Sequence, residues 1–148
     1  MPRTMPPDEI RSFLTAGTRT GKLATVRADG RPHVAPVWYV LDEADNDWGF
    51  DVILNTGADT VKGRTMRRDN RVMLALDDER PPFAYVLIEG TAELSDDLDE
   101  LRPWATRIGG RYMGAEQAET FGQRNTAPGE LLVRLRPTRV LAEAGLAE

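Results

Sequence analysis

Five cations crowd one short stretch of this sequence: Lys62, Arg64, Arg67, Arg68 and Arg71, with the hydroxyls of Thr56 and Thr60 just ahead of them. Only Asp59 and Asp69 share the stretch, so five positive charges less two negative leave +3, in a chain of formal net charge -5. Like charges packed together repel, and an anion among them replaces repulsion with charge-assisted hydrogen bonds. The chemistry that suits these residue types is the holding of a phosphate or carboxylate ligand. The ordinary alternative is a short helix with its charges in water. Lys62 and Arg64, with Thr60 and Thr56, are the strongest candidates for anion contact. Arg67 or Arg68 could instead pair with Asp69 or Glu79.

Catalysis by the protein's own side chains is poorly supplied. There are no cysteines, His33 is the single histidine, and Ser12 and Ser95 are the only serines. Nothing resembles a nucleophile elbow, a metal-ligand cluster or a pair of working carboxylates. The acids gather in 42–47, 77–79 and 96–100, which read as solvated loops and helix starts. We therefore expect no catalytic side chain and no metal site, and any reaction would be carried by a bound cofactor that the protein orients.

The elements that would position the cations are apolar runs on either side, Val52-Ile53-Leu54 and Val72 to Leu76, both of buried-strand type. Earlier, Lys22–Ala28 and Arg31–Leu41 read as two strands joined at Asp29-Gly30, a dipeptide suited to a type I′ hairpin turn. Pro32 and Pro36 remove ladder donors from the second strand, which must then be an edge or be bent. His33 shares a face of that strand with Ala35, Val37 and Tyr39. Ahead of the hairpin, Ile10, Phe13 and Leu14 give a short helix one apolar stripe. Residues 83–94 form the longest strand candidate, with Gly90 marking a bulge or close backbone approach. Residues 95–123 read as two helices interrupted at Gly109-Gly110 and Gly114, and 130–137 as a last strand. About six strands with helices at the margins predict a mainly β, α+β fold, a six-stranded antiparallel split β-barrel with peripheral helices.

At 148 residues, with 41% hydrophobic and 29% charged content, one ordinary domain over 1–148 is expected. The acidic balance disfavours nucleic acid as a partner. No apolar run approaches the roughly 18 residues of a membrane span, and the first residues carry no signal-peptide core, so a cytoplasmic protein is expected.

Thr60-x-Lys62-x-Arg64, followed by Arg67-Arg68-Asp69-x-Arg71-Val72, resembles the cofactor-phosphate segment of the pyridoxamine-phosphate-oxidase-like, FMN-binding split-barrel family. The hairpin 23–39, the strand 85–94 and the final strand 130–140 extend the resemblance over most of the chain. Arg111-Tyr112-Met113-Gly114 and Phe121-Gly122-x-Arg124-Asn125 are similar to the branch that uses the deazaflavin coenzyme F420. Thr65 departs from a usual asparagine and Asn70 from a common proline. The strand signature of true pyridoxamine-phosphate oxidases is absent, which favours the reductase branch. The resemblance implies a homodimer that binds F420 at the subunit interface and transfers a hydride between the coenzyme and a small organic acceptor. It implies that Lys62 and Arg64 touch the phosphate end, and that His33, Pro36, Val37 and Trp38 lie beside the ring, although core packing explains Trp38 as well. FMN as the cofactor of the same fold, and a non-catalytic flavin- or tetrapyrrole-binding module, are the alternatives.

Overall fold

The computed structural model describes residues 1–148. Along the chain come β1 (Arg3–Thr4), α1 (Pro7–Thr15), β2 (Gly21–Val26), β3 (Pro32–Val37), β4 (Val40–Glu43) and β5 (Phe50–Gly57). Then follow α2 (Val61–Arg68), β6 (Arg71–Asp78), β7 (Ala84–Ser95), α3 (Leu98–Met113), a 3-10 turn (Ala115–Gln117), α4 (Ala118–Arg124) and β8 (Glu130–Ala144). All pairings are antiparallel, in the order β3-β2-β6-β7-β8-β5-β4, with β1 added beside β8. The expected split barrel with peripheral helices is present, with eight strands rather than six. One extra strand is the short β1. The other arises because the run expected as one strand to Leu41 breaks at Trp38-Tyr39 into β3 and β4.

That break closes the barrel. β3 and β4 lie at opposite ends of the strand order, yet only Trp38 and Tyr39 separate them. A two-residue connection spans about 10 Å at most, so the sheet must curl until its two edges nearly meet. No ladder joins them, and the barrel stays open along this seam.

The backbone groups lost from the ladder at the break find partners on α3. The Tyr39 N–H donates to the Tyr112 hydroxyl at 3.3 Å, and that hydroxyl donates to the Arg19 carbonyl at 2.8 Å. Arg111 donates to the Tyr39 carbonyl at 2.8 Å and to the Leu14 carbonyl at 2.9 Å. Buried backbone groups need such partners, so α3 and the end of α1 are fastened to the kink.

Inside the barrel, one cluster joins Leu23, Leu54, Leu74, Ile88 and Leu135 from the strands to Ile10 and Leu14 of α1 and Met66 of α2. A second cluster lies outside it, where Val40, Ile53 and Leu132 meet Leu101, Ala105 and Ile108 of α3. β5 is therefore covered on both faces, which explains its unbroken Val52-Ile53-Leu54 run. No helix of the chain is long and apolar enough to cross a membrane.

Several local expectations change. The β2–β3 turn is not type I′, because Gly30 (φ 86°) alone takes a positive φ. A three-residue loop, Ala28–Gly30, closes between Arg27 and Arg31, whose N–H and C=O bond at 2.8 Å, and the Asp29 carboxylate accepts from the Arg31 N–H at 3.0 Å. Gly109-Gly110 do not interrupt α3, which runs on to Met113; Gly109 instead lets Phe121 of α4 approach. Asp42, expected in a solvated loop, sits in β4 and bonds to Arg134 at 2.9 Å. Gly90 does mark both a register shift and a close approach, since a Cβ there would collide with the Arg136 carbonyl.

α2 is seated by another such approach. A Cβ on Gly63 would fall well inside contact with the Gly57 carbonyl, a backbone atom that cannot swing aside. Gly63→Ala is expected to lift α2 off the end of β5 and cost about 1–3 kcal/mol, read as a lower Tm in thermal denaturation.

Tyr39 is wholly buried, and its hydroxyl donates to the Leu14 carbonyl. Burial pushes its phenol from 10.0 up to about 12, against the opposing pull of Arg111. The folded value lies above the unfolded one, so the contribution is complete below pH ~10 and fades as pH rises toward ~12, by about 2–3 kcal/mol. Alkaline denaturation should reveal this loss. Tyr39→Phe should be less stable at neutral pH by about 1 kcal/mol yet flatter between those limits.

Candidate functional site

At the end of the seam where β5 runs on past β4, a cleft of about 310 Å³ lies between β3 and β5. Pro36, Val37, Trp38, Asn55, Lys62 and Asn125 line it. Four residues singled out from sequence, Lys62, Pro36, Val37 and Trp38, thus come together. Asn55 and Asn125 join them from β5 and from the residue after α4.

Lys62 reaches the cleft because of how α2 begins. The Thr60 hydroxyl accepts from the Gly63 N–H at 3.0 Å, capping the helix. It donates its single proton to the Gly57 carbonyl at 2.7 Å, so Thr56, 3.1 Å away, must be the donor between the two hydroxyls. Thr56 and Thr60 are thereby engaged in shaping the turn that presents Lys62. Gly63, Thr65 and Met66 face inward, and Lys62, half-buried beside them, lines the cleft.

Arg64 does not join it. Two steps of roughly 100° place it about 200° around the helix from Lys62, exposed beside Val61, Arg67 and Arg68. The rest of the cluster is partly neutralised. Arg71 donates to Asp69 through two nitrogens, at 3.0 and 2.7 Å, and these bonds hold the Asp69 carboxyl at about 2. Arg68 is fixed on the Val26 carbonyl at the hairpin. Lys62, Arg64 and Arg67 make no ion pair with a carboxylate.

β3 is an edge strand, as its prolines suggested. The register Thr25–His33, Leu23–Ala35, Gly21–Val37 alternates with pairs whose backbone groups point away from β2. The carbonyls of Val34 and Pro36 therefore face the open edge, and the donors that Pro32 and Pro36 lack are edge donors rather than ladder donors. At Tyr39 the backbone groups are not free, because Arg111 and Tyr112 occupy them. Trp38 has one face stacked on Tyr112, with centroids 4.9 Å apart and planes within 2°. It both packs and lines the cleft.

His33 lies elsewhere. It shares the barrel-facing side of β3 with Ala35 and Val37, opposite Thr25. Its Nδ1 and the Thr25 hydroxyl are both buried without a partner, and it does not line the cleft. Asn55 went unnoticed from sequence because one asparagine in a strand carries no motif. Asn125 stood inside the recognised segment before the last strand, but only folding sets it beside Lys62.

The larger open cleft, of about 580 Å³, lies between residues 16–22 and Asp77–Arg80. Its lining is almost wholly polar, and Asp78 there pairs with Arg19 at 3.3 Å and with Arg80 at 3.1 Å. Its charges offset one another, so it lacks the single-signed character of the Lys62 cleft.

Comparison with known proteins completes the picture. A conserved hypothetical protein of Mycobacterium tuberculosis is 29% identical, with a TM-score of 0.79 over 93% of this chain and 84% of that one. A structure described as an F420 reductase is 23% identical, with a TM-score of 0.65 over 87% of this chain and 94% of that one. A heme storage protein from Vibrio cholerae is 17% identical, with a TM-score of 0.71 over 97% of this chain and 100% of that one. The last two similarities concern the fold alone. The sequence model described as pyridoxamine 5'-phosphate oxidase matches residues 6–143, nearly the whole strand order and every residue of the seam cleft, and the chain belongs to that family.

Proposed function

We propose that the protein binds a phosphorylated flavin-type coenzyme in the seam cleft, with F420 the preferred form, and transfers a hydride between it and a small organic acceptor. The observation that carries this reading is the meeting of Lys62, a cation without a carboxylate partner, with the open edge of β3 and the Trp38 side chain. These groups fit the ligand's parts. The ammonium suits a phosphate, and the Val34 and Pro36 carbonyls suit the N–H of a flavin-type pyrimidine edge. The bound coenzyme supplies the hydride chemistry, and the protein binds it, orients it and excludes water.

In this reading Thr56 and Thr60 act by holding the turn under Lys62. His33 acts from the inner side of β3, setting the strand's position rather than touching the phosphate. F420 is favoured over FMN by charge beyond the cleft. Arg64 and Arg67 continue the positive surface around α2, which matches an extended acidic tail, whereas the compact phosphate of FMN needs Lys62 alone. Fold relatives described as an F420 reductase and a heme storage protein make FMN and heme the comparison ligands.

A homodimer is part of the proposal. The outer face of β3-β2-β6-β7 and of the second half of β8, past the part that α3 covers at Leu132, carries Val34, Ala24, Met73, Ala75, Leu87 and Leu141 in adjacent register. Val34 is 60% and Leu141 39% exposed, and a second copy would cover them. Leu141→Glu is expected to shift sedimentation toward monomer; a variant that stays fully dimeric would move the interface to another face.

Fluorescence and absorbance titrations with F420, FMN and heme test the ligand. F420 should bind most tightly, and less tightly as salt rises. Tighter FMN binding would make the protein an FMN reductase, and binding without turnover of any acceptor would make it a carrier. Lys62→Ala should weaken F420 binding roughly ten- to a hundred-fold, the loss of one charge-assisted hydrogen bond, with little change in saturated turnover. His33→Ala should do the reverse, altering turnover or acceptor preference more than affinity. Unchanged affinity in Lys62→Ala would return α2 to the status of a solvated helix.

A further inference from the structure

We propose that Asn55 and Asn125 bind the polyhydroxylated chain joining the ring of a flavin-type coenzyme to its phosphate; this rests on the reading of the seam cleft given above. Both line the cleft with Lys62 and Trp38, and local structure explains neither.

Asn55 sits inside β5, in a strand otherwise made of buried apolar residues and a threonine from Val52 to Thr56. Asparagine is depleted in strands because its amide competes with the backbone. Its one partner within the chain is Glu130, at 3.5 Å, the limit of a hydrogen bond.

Asn125 follows α4. Asparagine is common after a helix because it tolerates the left-handed conformation, but here φ is -96° and ψ 13°, which any residue adopts. Its backbone N–H donates to the Phe121 carbonyl at 2.9 Å, its side chain makes no hydrogen bond within the chain, and the residue lines the cleft. Residues that break local rules without a packing gain are expected at functional sites.

The chemistry of the pair points to hydroxyl groups. Each amide offers two donors and an acceptor, the complement of a vicinal polyol, whose hydroxyls both give and accept. Being uncharged, the amides add no net charge to the hold on phosphate, which Lys62 supplies. The ring has the strand edge and Trp38. Three parts of one ligand thus meet three kinds of protein group from β3, α2 and the β5–α4 side.

Three probes separate these parts: 5-deazalumiflavin (ring alone), 5-deazariboflavin (ring and polyol) and F420 (ring, polyol and phosphate). Each is titrated against the full chain and against Asn55→Leu, Asn125→Leu and Lys62→Ala, with Tm measured for every variant. Asn125→Leu and Asn55→Leu should each weaken 5-deazariboflavin and F420 by roughly three- to tenfold and leave 5-deazalumiflavin unchanged. Lys62→Ala should weaken F420 alone. Where Asn→Leu lowers the Tm, Asn125→Gln and Asn55→Gln, which keep the amide but displace it, must show the same selectivity. Equal losses for the ring-only probe, or no loss with 5-deazariboflavin, would overturn the polyol assignment while the coenzyme reading stands. Failure of all three probes to bind the unaltered chain would overturn both.

Discussion

The break at Trp38-Tyr39, fastened by Arg111 and Tyr112, is the constraint on which the rest of this structure depends. Two residues connect strands at opposite ends of the sheet. The chain at that point leaves the ladder, so its backbone groups would be buried and unpaired without outside donors and acceptors. Arg111 and Tyr112 supply them, and through the Leu14, Gly17 and Arg19 carbonyls they tie α3 to the end of α1 and the segment after it as well. Arg111 also lies over both tyrosine rings, 4.7 Å from the Tyr39 centroid and 5.1 Å from that of Tyr112. One cation thus organises the kink, two helices and the seam.

A barrel that closes by a kink rather than by a ladder keeps a strand edge next to a gap. Edges are liabilities, and this one is blunted by Pro32 and Pro36, which remove two of its donors. What remain are the carbonyls of Pro32, Val34 and Pro36, with the Val34 N–H as the one donor among them. α2 starts at the far side of the gap, held close by the absence of a side chain at Gly63, and brings in Lys62. Acceptors, a cation, amides and an indole therefore meet at the one place where the fold is unfinished. Ligand sites on rigid scaffolds characteristically occupy such places.

The arrangement also separates charges by role. Away from the seam, a network of Arg134, Arg136, Asp42, Asp51 and Glu93 ties β4, β5, β7 and β8 together. Asp51 is buried, and two arginines reach it, as a buried carboxylate requires. The surface of α2 is the opposite case, since Arg64 and Arg67 are exposed and make no ion pair with a carboxylate. That contrast marks the helix as a place where positive charge is kept available.

The linear order of residues was enough to determine the class of fold. Apolar alternation, Asp-Gly and the two prolines gave the hairpin and its edge strand, and Gly90 gave the bulge, because each reflects backbone geometry set by neighbours in the chain. The concentration of cations at 62–71 was equally legible. Which cation meets the β3 edge was decided by tertiary structure. Helical phase turns Lys62 inward and Arg64 outward, Asp69 takes Arg71, and the Val26 carbonyl takes Arg68. Sequence could not show that Arg31–Leu41 is two strands, because the kink is stabilised by Arg111 and Tyr112, more than seventy positions away. Nor could it show that α3 runs through Gly109-Gly110, since the reason is the approach of Phe121. Asn55 and Asn125 are likewise ordinary in the chain and become neighbours of Lys62 only when β5, α2 and α4 converge. Local geometry is written in local residues, whereas a site built from four elements exists only once long-range packing has brought them together.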